Sequence, residues 1–167
     1  GSSPCMFNTY LILSFFKIDS ILKVFPDARF IFLVRDPLET IPSYFSLQEN
    51  VKFGNLLTDK ELRLLRKETY SEVIEWYKET EKVKSRLNKK QFMVLTYPQI
   101  TDDLQNSVKS FFKFINGKMT KKFENEVAKF SKKKYVKKHQ NKSIEDYGFT
   151  KKQILDDFDF VYQEYFT

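Results

Sequence analysis

The sequence predicts an α/β protein: a parallel sheet flanked by helices in a three-layer arrangement. Three observations carry this reading. Phe30-Ile31-Phe32-Leu33-Val34 and Phe92-Met93-Val94-Leu95 are short, continuous apolar runs rich in β-formers. Patterns of helical period lie between and after them, among them a long one from Leu62 to Leu87. With only 4 Gly and 5 Pro in 167 residues, long elements are favoured over tight turns. Short buried strands alternating with helices are the signature of a parallel sheet.

Taken in order, Ile18 to Val24 reads as the end of a short helix, broken by Phe25-Pro26-Asp27. The run Phe30–Val34 should be a strand buried on both faces, as parallel-sheet strands are. Arg35-Asp36-Pro37 ends it, and a helix should follow from about Leu38 towards Leu47. Pro37 suits its first turn and Glu39 favours its positive end, while Pro42 is tolerated only near the start. Thr58 with Glu61 forms a capping box before the long helix. The second strand, Phe92–Leu95, is ended by Tyr97-Pro98. Thr101 or Asp102 should cap a helix that buries Leu104, Val108, Phe111, Phe112 and Ile115 and stops near Gly117. Residues 121–132 read as helical and 133–148 as irregular and basic. Thr150 caps a last helix carrying Ile154, Phe158, Val161, Tyr162 and Tyr165.

Composition narrows the classes. A length of 167 residues suits one domain or a large piece of one, and the aromatic content of 17% supports a folded core. The apolar stretch Tyr10–Phe16 is too short to span a membrane, and no basic segment precedes it as in a signal peptide. The single cysteine, Cys5, excludes an internal disulfide framework and a multi-cysteine zinc site. The net charge of +7 is local. Residues 118–142 hold ten Lys against Glu124 and Glu126, which leaves 19 basic and 20 acidic residues elsewhere. That points to an anionic ligand or surface near this segment, although a solvated lysine-rich helix and loop has the same composition.

Ligands of parallel sheets sit beyond the carboxyl ends of the strands, where Arg35 and Tyr97 both fall. Arg35 offers a planar, permanently charged fork suited to phosphate oxygens. Ser43 follows eight residues later on the next helix, whose N-terminus adds partial positive charge. Arg, Ser and helix end together can grip a phosphate. A strand-end arginine can equally pair with a carboxylate such as Asp36 or Glu39.

Here the residues resemble a known family. The segment Phe25-Pro26-Asp27-Ala28-Arg29-Phe30-Ile31-Phe32-Leu33-Val34-Arg35-Asp36-Pro37, followed by Ile41-Pro42-Ser43-Tyr44, is similar to the 3′-phosphate motif of sulfotransferases that use 3′-phosphoadenosine-5′-phosphosulfate (PAPS). The resemblance implies that Arg35 and Ser43 hold the 3′-phosphate. Val94-Leu95-Thr96-Tyr97 with Ile100 and Leu104 is similar to the family's second strand and turn. It implies Tyr97 as a neighbour of the adenine, although Pro98-Gln99-Ile100 replaces the usual acidic part. The tail from His139 through Gly148 to Thr150 resembles a late loop and helix of bacterial and carbohydrate-type members. Basic residues before that feature reach the cofactor in relatives, and Lys137, Lys138 and Lys142 are the candidates, with Lys138 taken as the cofactor contact. The similarity covers roughly residues 18–166.

The resemblance implies a P-loop-NTPase-like fold of which this chain is the C-terminal portion: one sulfotransferase-like domain over residues 1–167, truncated at its N-terminus. The family's Gly- and Ser/Thr-rich loop for the 5′-phosphosulfate is not recognisable, since Gly1-Ser2-Ser3-Pro4 follows no strand. The implied reaction is in-line transfer of a sulfuryl group from PAPS to a hydroxyl or amine, on an acceptor such as a carbohydrate. Arg35 and Ser43 would act remotely, through 3′-phosphate binding. No catalytic base is assigned: the only histidine, His139, sits among lysines, and nothing singles out Glu49 or Glu68. Alternatives are another P-loop-like nucleotide enzyme, a catalytically inactive fragment, or a non-enzymatic basic module for nucleic acid or anionic polysaccharide, with nucleic acid the less favoured partner. Relatives occur in bacterial cytoplasm and, anchored, in the Golgi lumen, so the compartment stays open.

Overall fold

The computed structural model describes residues 18–49, 56–133 and 141–167. In chain order its elements are α1 (Ile18–Val24), β1 (Phe30–Val34), α2 (Pro37–Leu47), α3 (Asp59–Arg86), β2 (Phe92–Thr96), α4 (Tyr97–Asp102), α5 (Leu104–Phe114), α6 (Lys121–Ser131), a 3₁₀ turn (Glu145–Tyr147), α7 (Lys151–Asp157) and α8 (Asp159–Tyr165). This is the predicted α/β class, with a parallel sheet. The chain divides into two compact units, one of residues 1–28, 36–86 and 141–167, the other of residues 29–35 and 87–140. Among the described residues no helix is long and apolar enough to cross a membrane.

The first unit is helical. Pro37 occupies the first turn of α2, as the sequence predicts, and Asp36 caps the helix. Pro42 lies deeper than predicted, inside the helix, where its missing N–H removes one rung of the ladder and its buried ring supplies packing instead. The Thr58–Glu61 capping box starts α3: Thr58 N–H donates to Glu61 Oε2 at 2.8 Å and Glu61 N–H donates to Thr58 Oγ1 at 3.4 Å. The apolar face of α3 buries Tyr70, Val73, Tyr77 and Val83. Its partners come from α2 and the C-terminal segment. Tyr70 stacks on Phe149 at 4.6 Å, and Phe158 meets Tyr77 edge-on at 5.5 Å. Phe45 packs on Tyr147 at 5.1 Å and on Phe149 at 5.4 Å. The last helix is two pieces, broken at Phe158, whose fully buried ring sits at the joint.

The second unit holds the sheet. β1 and β2 are parallel, with Phe30 opposite Phe92 and Val34 opposite Thr96. The prediction that β1 is buried on both faces is corrected. Phe32 and Val34 are buried, but Ile31 and Leu33 are 37% and 59% exposed. The run is apolar on both faces, and the surrounding described residues cover one of them.

Tyr97-Pro98 does not merely end β2. Thr96 caps α4 there through a capping box, its N–H donating to Gln99 Oε1 at 2.9 Å, and Pro98 falls in the first turn where no N–H is needed. Asp103, rather than Thr101 or Asp102, then caps α5, accepting from Asn106 N–H at 3.1 Å. The stop near Gly117 is a Schellman motif. Gly117 N–H donates to Phe112 O at 2.9 Å, and the left-handed residue is Asn116, at φ 56°, not the glycine. Thr120 caps α6, and Phe123 on that helix meets Phe112 of α5 at 5.5 Å.

Candidate functional site

The strand pairing ends with Val34 opposite Thr96, and one residue follows directly on each strand. Those residues are Arg35 and Tyr97, just beyond the carboxyl edge of the sheet. The Arg35 guanidinium lies over the Tyr97 ring, 4.7 Å from its centroid. Both side chains are half-buried. A cation on an aromatic face is attracted by the ring quadrupole, by about 0.5–1 kcal/mol where partly solvated. A guanidinium binds phosphate oxygens in its own plane, through its N–H groups. The sequence brought Tyr97 forward as an adenine neighbour; what the structure shows is its ring against Arg35.

Asp36 follows Arg35 and begins the other unit. Its Oδ1 accepts from Leu38 N–H at 2.8 Å, which caps α2, and from the Tyr162 hydroxyl of α8 at 2.6 Å. Burial and the Asp36 carboxylate beside it both push the Tyr162 hydroxyl well above the usual phenol range. Thr40, in the first turn of α2, lies 3.4 Å from the Tyr77 hydroxyl. Ser43 is the seventh residue of α2 and is half-buried. Six residues at ~1.5 Å rise place it about 9 Å along the axis from Pro37. It stands beyond the turn where the helix N-terminus exerts its partial charge, so its contribution is its hydroxyl.

Farther along α2, Tyr44 is pushed up to about 12 by burial and by Glu72 nearby. Glu49 accepts from Arg66 Nε at 2.6 Å, with both side chains largely buried, and Arg66 lies over the Tyr147 ring at 5.2 Å. That carboxylate is committed to the packing of its unit. Glu68 is exposed on α3 and Lys142 is exposed before the 3₁₀ turn. Lys137, Lys138 and His139 lie outside the described residues.

Sequence reasoning missed Tyr162 as the partner of Asp36. Its place in the apolar pattern of the last helix marks it as a packed residue, and nothing local announces where its hydroxyl ends.

Comparison with known proteins bears on these residues. The profile described as the Sulfotransferase family matches residues 6–121. No curated protein matches the chain. Among solved structures, the crystal structure of sulfotransferase STF9 from Mycobacterium avium superposes with a TM-score of 0.68 at 21% identity. The match covers 89% of this chain and 39% of that one, so this chain spans about two-fifths of that protein's length. The likeness is one of fold.

Proposed function

This chain belongs to the sulfotransferase family, and on that premise we propose that it supplies the 3′-phosphate half of a site for PAPS. The reaction served is transfer of a sulfuryl group to a hydroxyl or amine of an acceptor such as a carbohydrate. The observation that supports the reading is Arg35, set past the carboxyl end of a parallel strand and oriented by the Tyr97 ring. That is where ligands of parallel sheets sit, and the guanidinium edge matches a phosphate. Residues 1–167 are read as part of one sulfotransferase domain.

PAPS would bring the activated sulfuryl group. Arg35 would bind the 3′-phosphate through its fork, and Tyr97 would hold that fork in register, near the adenine. Ser43 would donate its hydroxyl to the same phosphate, and Lys138 would add charge to the cofactor. None of these side chains would touch the sulfur. Their binding energy is remote from the reacting centre and serves to fix the donor for in-line attack. The reading assigns no catalytic base within the chain.

The test is calorimetric binding of adenosine 3′,5′-bisphosphate, with adenosine 5′-monophosphate as control, to the wild type and to Arg35→Ala. Selective binding of the bisphosphate is expected, with its advantage lost in the variant. A charge-assisted bidentate contact of about 1.5–3 kcal/mol corresponds to a loss of roughly 10- to 150-fold. Equal binding of the two nucleotides by the folded wild type overturns the reading.

A further inference from the structure

We propose that the second unit carries a binding cleft for an acidic polysaccharide, one bearing sulfate or carboxylate groups, at the amino-terminal ends of its two strands. Arg29 immediately precedes β1, Lys89 and Lys90 precede β2, and Lys113 lies in the last turn of α5. These four cations line one cleft of about 580 Å³, and among the described residues no Asp or Glu lines it. Five strand residues at ~3.3 Å each set it about 16 Å from the carboxyl ends, so it is separate from the Arg35 and Tyr97 pair.

The charge there is uncompensated. The second unit holds 15 basic and 4 acidic residues, a net +11, whereas the first holds 14 and 18, a net −4. The four acids are engaged elsewhere. Glu124 pairs with Lys121 at 3.5 Å and Glu126 with Lys129 at 2.7 Å, both on α6. Asp103 caps α5, and Asp102 accepts from the Thr101 hydroxyl at 3.1 Å. Lys89, Lys90 and Lys113 are exposed and enter no ion pair among the described residues. The local negative element is the set of end carbonyls of α5, and Arg29 Nη1 donates to one of them, Phe114 O, at 2.5 Å. Several unpaired cations in one concavity concentrate anions.

The shape and lining select the ligand class. The volume lies within the range of ligand clefts, about 300–1,000 Å³, and exceeds what a single small anion needs. Single-stranded nucleic acid draws much of its affinity from bases stacked on open aromatic faces. Here the Arg29 guanidinium already sits 5.9 Å above the Phe114 ring. Three lysines instead offer point charges for sulfates or carboxylates, and Ser110 and Asn116 offer hydrogen bonds to hydroxyls.

The probe is a fluorescent heparin oligosaccharide, titrated at several salt concentrations, beside a single-stranded DNA oligonucleotide of equal charge. The proteins are the wild type, Lys89→Gln/Lys90→Gln/Lys113→Gln, and a control with the same charge loss, Lys118→Gln/Lys121→Gln/Lys122→Gln. Lys113→Gln alone is a milder companion, and urea unfolding checks that each variant is folded. The cleft triple variant should lose about tenfold or more in heparin affinity and show a shallower salt dependence, while the control loses less than about threefold. Equal losses in both triple variants would reduce the binding to net charge and overturn the proposal. So would absence of heparin binding by the wild type at low salt, or DNA bound as tightly and lost in parallel. The readout requires no sulfuryl transfer and leaves Arg35 in place, so its outcome is separate from that of the nucleotide test.

Discussion

Removing the Tyr162 hydroxyl should weaken the helical unit by an amount that depends on Asp36 being present. The hydroxyl donates to Asp36 Oδ1 at 2.6 Å, and the same oxygen accepts from Leu38 N–H at the start of α2. A hydrogen bond to a charged acceptor contributes about 1.5–3 kcal/mol, and loss of an N-cap costs about 1 kcal/mol. Tyr162→Phe should therefore cost about 1.5–2 kcal/mol, since Asp36 keeps its backbone partner. At roughly 2–4 °C per kcal/mol for a chain of this size, the melting temperature should fall by about 3–8 °C. Asp36→Ala should cost more, because it removes the cap and orphans a half-buried hydroxyl. The decisive measurement is a double-mutant cycle by urea unfolding. In the Asp36→Ala background, Tyr162→Phe should cost little or nothing, giving a coupling of at least about 1 kcal/mol. Additive effects within about 0.3 kcal/mol would refute the claim that these two side chains act as one contact.

Other consequences follow from single residues. Tyr44, Tyr162 and Tyr165 all have hydroxyls raised from the ordinary value of 10.0, Tyr44 and Tyr165 to about 12, with burial the first cause in each case. A raised folded-state value means that the stabilising contribution is complete below pH 10 and is lost as pH rises through 10 towards 12. Unfolding followed against pH should show this alkaline decline, and Tyr162→Phe should make it shallower. Gly148 has φ 86° in the turn before α7, with open space around its missing side chain. Gly148→Ala should thus cost only the left-handed strain, about 1–2 kcal/mol, read as a lower urea midpoint with an unchanged slope. Arg66→Ala leaves Glu49 without its ion-pair partner in a site where its side chain is only 15% exposed. It should cost about 3 kcal/mol, whereas Arg66→Ala with Glu49→Gln should recover part of the loss.

What the sequence made legible was local. The caps at Thr58 and Thr150 are short-range patterns of side chain and backbone N–H, and each is where the pattern puts it. The two strands were visible as apolar runs, and their parallel pairing followed from the helices between them. Errors arose where two local signals competed. Tyr97-Pro98 carries a strand-stop signal and a helix-start signal, and the Thr96–Gln99 box decides for the helix. The next helix does stop near Gly117, as expected, and Asn116, the first of two residues able to adopt a left-handed conformation, takes it. Contacts of long sequence separation stayed invisible: Tyr162 reaches Asp36 across 126 residues, and Arg29 meets Phe114 across 85.

The Arg-Asp-Pro step shows why motif and support divide in this way. Arg35 and Asp36 are consecutive, yet the boundary between the two units runs through their peptide bond. Each is held by a tyrosine of its own unit, Arg35 by the Tyr97 ring at 4.7 Å and Asp36 by the Tyr162 hydroxyl at 2.6 Å. The two supports differ in kind. Loss of Arg35 removes its cation–π contact with Tyr97 at a half-buried position, and that contact is itself only about 0.5–1 kcal/mol. Loss of Asp36 removes a cap and a charged acceptor together, and should register first in stability. Adjacent residues of one motif should therefore separate in two assays, Arg35→Ala in nucleotide selectivity at near-native stability and Asp36→Ala in unfolding. If Arg35→Ala unfolds the chain as readily as Asp36→Ala does, the arginine is a packing residue, and the argument that it serves a phosphate fails.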